Sequence, residues 1–270
     1  MIGVAGCGRM GAPMLAALRA AGFDAGGFDV RPPTEFGDLA PFMSDDPAGF
    51  ATDLDTLITV VRDIAQTDDV LFGAQGFATT PGLRRIIISS TLSPRYVVGL
   101  RDKVPTHINL IDAPMSGAQV AAREARLSFM LGGSPAELDA AQPMFDAMGA
   151  HFHRMGNFGA GMQAKVLNNL LAASNTAMTR LVLDWAEQTD LDEAALLALI
   201  HTSSGQNWFA SGYDEIEFAR DGWDADNTIA IIVKDVESAL DSAPDGADTA
   251  LPRQVQTAVR ALRKRGSARQ

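Results

Sequence analysis

"MIGVAGCGRMGAPMLAALRA", residues 1–20, decides the fold. Ile2 to Ala5 reads as a short buried strand, glycines follow at Gly6, Gly8 and Gly11, and Ala12 to Ala21 reads as a helix. The first glycine permits a tight turn, the second lets a pyrophosphate approach the backbone, and the third lets the helix pack closely on the strand. The helix N-terminus then offers N–H groups and the positive end of its dipole to phosphate. A second strand, Ala25 to Asp29, ends on an acid placed to accept hydrogen bonds from the adenosine ribose. The stretch therefore predicts a dinucleotide-binding unit. Asp29 favours NAD, because a carboxylate repels a 2'-phosphate, while Arg31 keeps NADP possible. Cys7 is read as a small turn residue rather than a reactive thiol.

Outward from this stretch, short apolar runs alternate with amphipathic segments, the pattern of β-α units around a parallel sheet. Further strands are predicted at Leu57 to Val61, Ile86 to Ser90, Ile108 to Asp112, Ser128 to Leu131 and His151 to Arg154. Beyond Gly156 the pattern turns helical, with helices expected over Gly161 to Gln188, Asp192 to Thr202, Asn227 to Ser242 and Thr249 to Arg265. The expected class is α/β: an N-terminal Rossmann-like doubly wound sheet, residues 1–156, then an all-α domain, residues 157–270, entered through a long interdomain helix.

The net charge of -11 supplies no clustered cations for nucleic acid. Only the tail carrying Arg260, Arg263, Lys264, Arg265 and Arg269 is locally basic, and it reads as a solvated helix end. One cysteine excludes an internal disulfide framework and fits a reducing compartment, so a cytoplasmic location is expected. No segment reaches the ~20 apolar residues of a membrane span. His151 and His153 have no evident third ligand nearby, and no metal site is expected.

The chemistry is sought where groups could meet a nicotinamide. "SSTLSP" (89–94) and "DAPMSG" (112–117) follow strands, at the carboxyl edge where ligands of such sheets bind. In "GAGMQAKVLNNLLAAS" (159–174), Lys165, Asn168 and Asn169 fall at i, i+3 and i+4 and share one face of an otherwise apolar helix. A buried ammonium must be paired, snorkel, or face a cavity. The chain has four lysines, and lysine, unlike arginine, titrates readily, which points to an acid/base; a snorkelling lysine with capping asparagines is the structural alternative.

Taken together, these motifs resemble the β-hydroxyacid dehydrogenase family, which contains 3-hydroxyisobutyrate dehydrogenase and tartronate semialdehyde reductase. "GCGRMGAPM" resembles its glycine turn, "SSTLSP" and "DAPMSG" its two loop motifs, "GAGMQAKVLNN" its lysine helix, and "VKDV" (233–236) its late Lys-Asp pair. The resemblance implies Lys165 as catalytic acid/base, with Ser116, the Gly117 N–H, Asn168 and Asn169 holding a substrate carboxylate. It also implies Gly6, Gly8, Arg9, Met10, Gly11, Asp29, Val61, Arg62, Thr91 and Lys234 in contact with NAD, or with NADP. A small β-hydroxy acid or its semialdehyde is the implied substrate, and a homodimer or homotetramer the implied assembly.

The departures are local. Ala118, Ala121 and Ala125 stand where the family usually continues with glycine, and because alanine disfavours positive φ the loop is expected to take a different path. Asn168 stands where 6-phosphogluconate dehydrogenases carry histidine, which disfavours that substrate, and Lys165 argues against imine reductases. Trp208 reads equally as a pocket wall or a core anchor. A glyoxylate or semialdehyde reductase, an imine reductase, and a dinucleotide-binding sensor without turnover are the competing readings.

Overall fold

The computed structural model describes residues 1–266. Chain contacts divide it into two compact units, Met1–Lys165 and the residues from Val166 onward.

The first unit is built on a nine-stranded sheet. Strand β1 (Ile2–Ala5) pairs in parallel with β2 (Ala25–Phe28) on one side and β4 (Thr56–Thr59) on the other. β3 (Met43–Ser44) extends the β2 side, and β5 (Arg85–Ile88) and β6 (Asn109–Asp112) extend the β4 side, all parallel. The strands are apolar runs such as "RIII" because helices cover both faces of a parallel sheet. Past β6 the direction reverses. β8 (Leu127–Gly132) runs antiparallel to β6 and to the short β7 (Met115–Ser116), and β9 (Gly149–Gly156) lies parallel on the far edge of β8.

On one face Met14, Leu15 and Leu18 of α1 (Gly11–Ala20) are buried; α2 (Pro47–Ala51) carries Phe50, which joins Phe28 and Phe77 in a cluster with centroids 5.1 to 5.5 Å apart. Caps set the helix starts as composition suggests. Asp63 caps α3 (Ile64–Leu71), Ser93 caps α4 (Pro94–Lys103), and Ser134 with Glu137 forms a capping box on α6 (Pro135–Met148). The short α5 (Ala118–Arg123) follows β7.

α7 (Ala160–Gln188) contains the division between the units, at Lys165 and Val166. In the second unit it is followed by α8 (Glu193–Thr202), the single turn α9 (Trp208–Ser211), α10 (Thr228–Asp241) and α11 (Ala250–Arg260). One core joins Ala173, Ile229, Val233, Val236, Val255 and Val259. A second gathers Leu183, Phe209, Tyr213 and Ala219. Arg180 is 1% exposed, and its guanidinium donates to the carbonyls of Ala219 and Asp221, each at 2.8 Å, and of Arg263.

That arginine changes the reading of the basic tail. α11 ends at Arg260 instead of running to residue 265. Arg265 is not a solvated cation: it pairs with Asp184 and with Glu193, the latter at 2.8 Å. Arg269 lies outside the described residues. β3 and β7 were not anticipated, since two residues carry no periodicity.

Candidate active site

The turn after β1 behaves as its glycines suggest. Gly6 has φ of +91°, and a Cβ there would lie 2.6 Å from the Val60 carbonyl oxygen; one on Gly11 would lie 2.0 Å from that of Gly6. Gly8 has open space on its Cβ side, which leaves its backbone approachable. No side chain caps the start of α1; the Ala12 and Met14 N–H groups bond to the Gly8 and Met10 carbonyls, each at 3.2 Å, and the positive end of the helix dipole faces the turn. Arg9 is exposed in this turn, whereas Met10 packs half-buried against the core. Cys7 is inert: burial, reinforced by the Asp29 charge, pushes its thiol up to about 12, and Sγ donates to the Val4 carbonyl at 3.4 Å.

Gly6, Gly8, Asp29, Val61 and Arg62 line a single cleft of 450 Å³ over the carboxyl ends of β1, β2 and β4. This is where the strand order reverses around β1, the ligand position of a doubly wound sheet. Phe28, Val30, Val60 and Val70 supply apolar wall, and Gln66 and Gln75 add polar groups that sequence reasoning missed. The residues present thus suit a dinucleotide: approachable backbone for the pyrophosphate, a carboxylate for the ribose and apolar wall for a base. Asp29 accepts from the Cys7 N–H at 2.9 Å and forms an ion pair with Arg31 at 3.0 Å. Burial raises its carboxyl, but the Arg31 and Cys7 hydrogen bonds prevail and hold it below the usual carboxylate range.

Farther along the same edge, Ser90, two residues past β5, accepts from the Val61 N–H at 2.8 Å and ties two of the loops together. Thr91 follows it, half-buried; Ser93, not Thr91, caps α4. Ser116 closes β7 opposite Ser128, and Gly117 (φ +132°) turns the chain into α5. Ala118 and Ala125 adopt positive φ, +54° and +51°, a conformation better suited to glycine.

Asp112 has a role the sequence did not reveal. It is fully buried, and its two oxygens accept the N–H groups of Gly159 at 2.6 Å and Met162 at 2.5 Å, closing the first turn of α7. The helix can start this close only because Gly132 and Gly161 lack Cβ atoms, which would fall 2.1 and 2.9 Å from the Asp112 carboxylate oxygens. One turn on is Lys165, 7% exposed.

In the second unit, the Asn168 amide donates to Asn169 at 3.3 Å, Asn169 donates to Asp235 at 2.6 Å, and Lys234 pairs with Asp235 at 2.9 Å. Four of the sequence motif residues thus form one connected polar chain, with buried Asp235 as its hub. Trp208 is 52% exposed at the start of α9 and is no core anchor. Among the described residues no group of three His, Cys, Asp or Glu is placed to hold a metal; His151 and His153 lie exposed on β9.

Comparison with known proteins agrees with this arrangement. Residues 1–158 match the family model described as the NAD binding domain of 6-phosphogluconate dehydrogenase. Residues 159–270 match that described as NAD-binding of NADP-dependent 3-hydroxyisobutyrate dehydrogenase. The mitochondrial 3-hydroxyisobutyrate dehydrogenase of Rattus norvegicus is 31% identical over 252 residues, 90% of this chain and 75% of that protein. The L-threonate dehydrogenase of Cupriavidus necator is 30% identical over 249 residues, covering 90% and 83%. The solved 3-hydroxyisobutyrate dehydrogenase of Mycobacterium tuberculosis, in a structure with L-serine, superposes with a TM-score of 0.77 at 26% identity, covering 95% of this chain and 91% of that one. With both halves of the chain matched by family models and relatives of 30% identity or more aligned along most of their length, the protein belongs to the β-hydroxyacid dehydrogenase family, NAD(P)-dependent oxidoreductases that act on the CH–OH group of small hydroxy acids.

Proposed function

We propose that the chain interconverts a small β-hydroxy acid, of the size of 3-hydroxyisobutyrate, L-threonate or L-serine, with its semialdehyde or keto acid. When bound, the nicotinamide accepts or returns the hydride of the carbinol carbon. Lys165 takes the hydroxyl proton on oxidation and supplies it on reduction. Ser116, the Gly117 N–H, Asn168 and Asn169 fix the substrate carboxylate, so that the carbinol carbon is held in one orientation. Gly6, Gly8, Arg9, Gly11, Asp29, Val61, Arg62, Thr91 and Lys234 form the cofactor side, and Met10 supports the turn from beneath.

The observation that carries this reading is Lys165 itself: a buried lysine, 7% exposed, on the continuous helix α7, one turn before an asparagine held by Asp235. A sensor that binds dinucleotide without turnover has no use for it. Purified protein assayed with a panel of small hydroxy acids, and in reverse with aldehydes, glyoxylate and imines, using both NAD and NADP, tests the assignment. Turnover confined to imines would replace it, and cofactor binding without turnover of any of these compounds would favour the sensor.

Self-association is the second part of the proposal. Leu167, Leu171, Met178, Leu181 and Trp185 are exposed on α7 at spacings of four, seven, three and four, one apolar stripe along the helix. A second copy of the chain covers it, as a homodimer or within a homotetramer. Sedimentation should show an assembly that Leu171→Glu with Trp185→Glu dissociates. The single cysteine, buried as a thiol, supports a reducing compartment, the cytoplasm.

A further inference from the structure

The start of α7 is held from two directions at one residue. Met162 is fully buried; its N–H goes to Asp112 at the end of β6, and its thioether sulfur accepts the N–H of Leu92 at 3.4 Å, 70 positions earlier in the chain. A methionine sulfur is a weak acceptor, but Leu92 is buried too, and a buried N–H is expensive to leave without a partner. The same loop is tied on its other side, where Ser90 accepts the Val61 N–H. Thr91 therefore lies between two pinned neighbours, Ser90 joined to the cleft wall at Val61 and Leu92 joined to the helix. Met162 and Lys165, three residues apart on α7, share a helical face.

We propose that Met162 is a positioning residue for the reaction: its sulfur fixes the Thr91 loop, on the cofactor side, against the turn of α7 that carries Lys165. This rests on the reading of Thr91 as a cofactor contact and of Lys165 as the acid/base. Asp112 takes backbone N–H groups of this turn, which point along the helix axis. The Met162 side chain projects sideways from that axis, and its bond to Leu92 opposes rotation of the helix against the loop. Such rotation matters, because side-chain ends lie about 5 to 6 Å from a helix axis and a turn of about 10° moves one by about 1 Å. A misplacement of that size lowers a rate by up to about 10²-fold.

The test sets Met162→Leu, which keeps apolar volume but offers Leu92 no acceptor, beside Met162→Gln, which returns an acceptor on a side chain of equal length. Lys165→Met serves as the reference for lost proton transfer. On the full chain, hydride transfer is followed in single turnovers with 3-hydroxyisobutyrate, L-threonate and L-serine, NADH affinity by fluorescence titration, and Leu92 N–H protection by hydrogen exchange. Met162→Leu should slow hydride transfer by roughly 10- to 100-fold and speed exchange at Leu92, with NADH affinity unchanged. Met162→Gln should recover most of the rate. Unchanged hydride transfer in the leucine variant, equal losses in both variants, or a leucine variant that does not fold would each make the bond structural and overturn the proposal. Normal turnover in Lys165→Met, or a parent that turns over none of the three acids, overturns the underlying reading and this proposal with it.

Discussion

The carboxylate of Asp112, at the end of β6, accepts the backbone N–H of Met162 at 2.5 Å, fifty residues farther along the chain. This bond and its companion from Gly159 anchor the helix that carries Lys165. The anchor titrates near neutrality: burial raises the carboxyl to about 6, against the opposing pull of the helix N–H groups.

Because this value lies above the unfolded one, the native chain binds a proton that the unfolded chain lacks between about pH 4 and 6. The stabilising contribution is full below pH 4 and is lost as pH rises through 6. Asp112→Asn has no such dependence. Urea midpoints should show parent and variant farther apart at pH 4.5 than at pH 7.5, by up to about 2 kcal/mol. A gap that widens toward alkaline pH would mean that the N–H bonds, not burial, dominate.

Replacing Lys165 by methionine keeps length and packing while removing proton and charge. Turnover should fall by about 10² to 10⁴ in both directions, with NADH binding retained. Lys165→Arg should not rescue, since guanidinium does not release its proton. Near-normal turnover of a folded methionine variant would return Lys165 to a structural role.

Asn169 bonds Asp235 in the protein and is proposed to bond a carboxylate in the substrate. Asn169→Ala should lower kcat/KM by about tenfold or more, the worth of one charge-assisted hydrogen bond, with little change in cofactor affinity. Intact kinetics with a lowered melting temperature would make the Asn169–Asp235 bond the residue's whole function.

The strained alanines give a prediction on stability. Ala118 and Ala125 sit at φ of +54° and +51°, where glycine is free of steric penalty. Ala118→Gly and Ala125→Gly should each stabilise by about 0.5 kcal/mol, the relief of left-handed strain less the greater entropy of glycine in the unfolded chain. Denaturant midpoints decide it, and destabilisation by both changes would show that their methyl groups pack to greater benefit than the strain costs.

What the sequence discloses is what local physics determines. The glycine turn was legible because each glycine answers a steric demand made within about ten residues, and the strands of the parallel sheet because burial on both faces leaves continuous apolar runs. Pairing across long separations was not. Nothing near Asp112 announces that it will cap a helix beginning at residue 160, and Arg265 reads as one more surface cation until Glu193 and Asp184 are seen beside it. Asp29 and Arg31 were both visible as rivals for one ribose. That they would bind each other depends on a side-chain conformation, which spacing does not specify.

Arg180 imposes an order of events on a chain made from one end. Its guanidinium is held by the carbonyls of Ala219, Asp221 and Arg263, the last of them 83 positions downstream. The sheet unit closes on itself within the first 165 residues and has its contacts once they have emerged from the ribosome. The helical unit does not: until residue 263 is made, a cation destined for the interior lacks one of its acceptors and keeps its water. A nascent chain halted in α11 would therefore hold a finished nucleotide-binding half beside a helical half still waiting for its last bond.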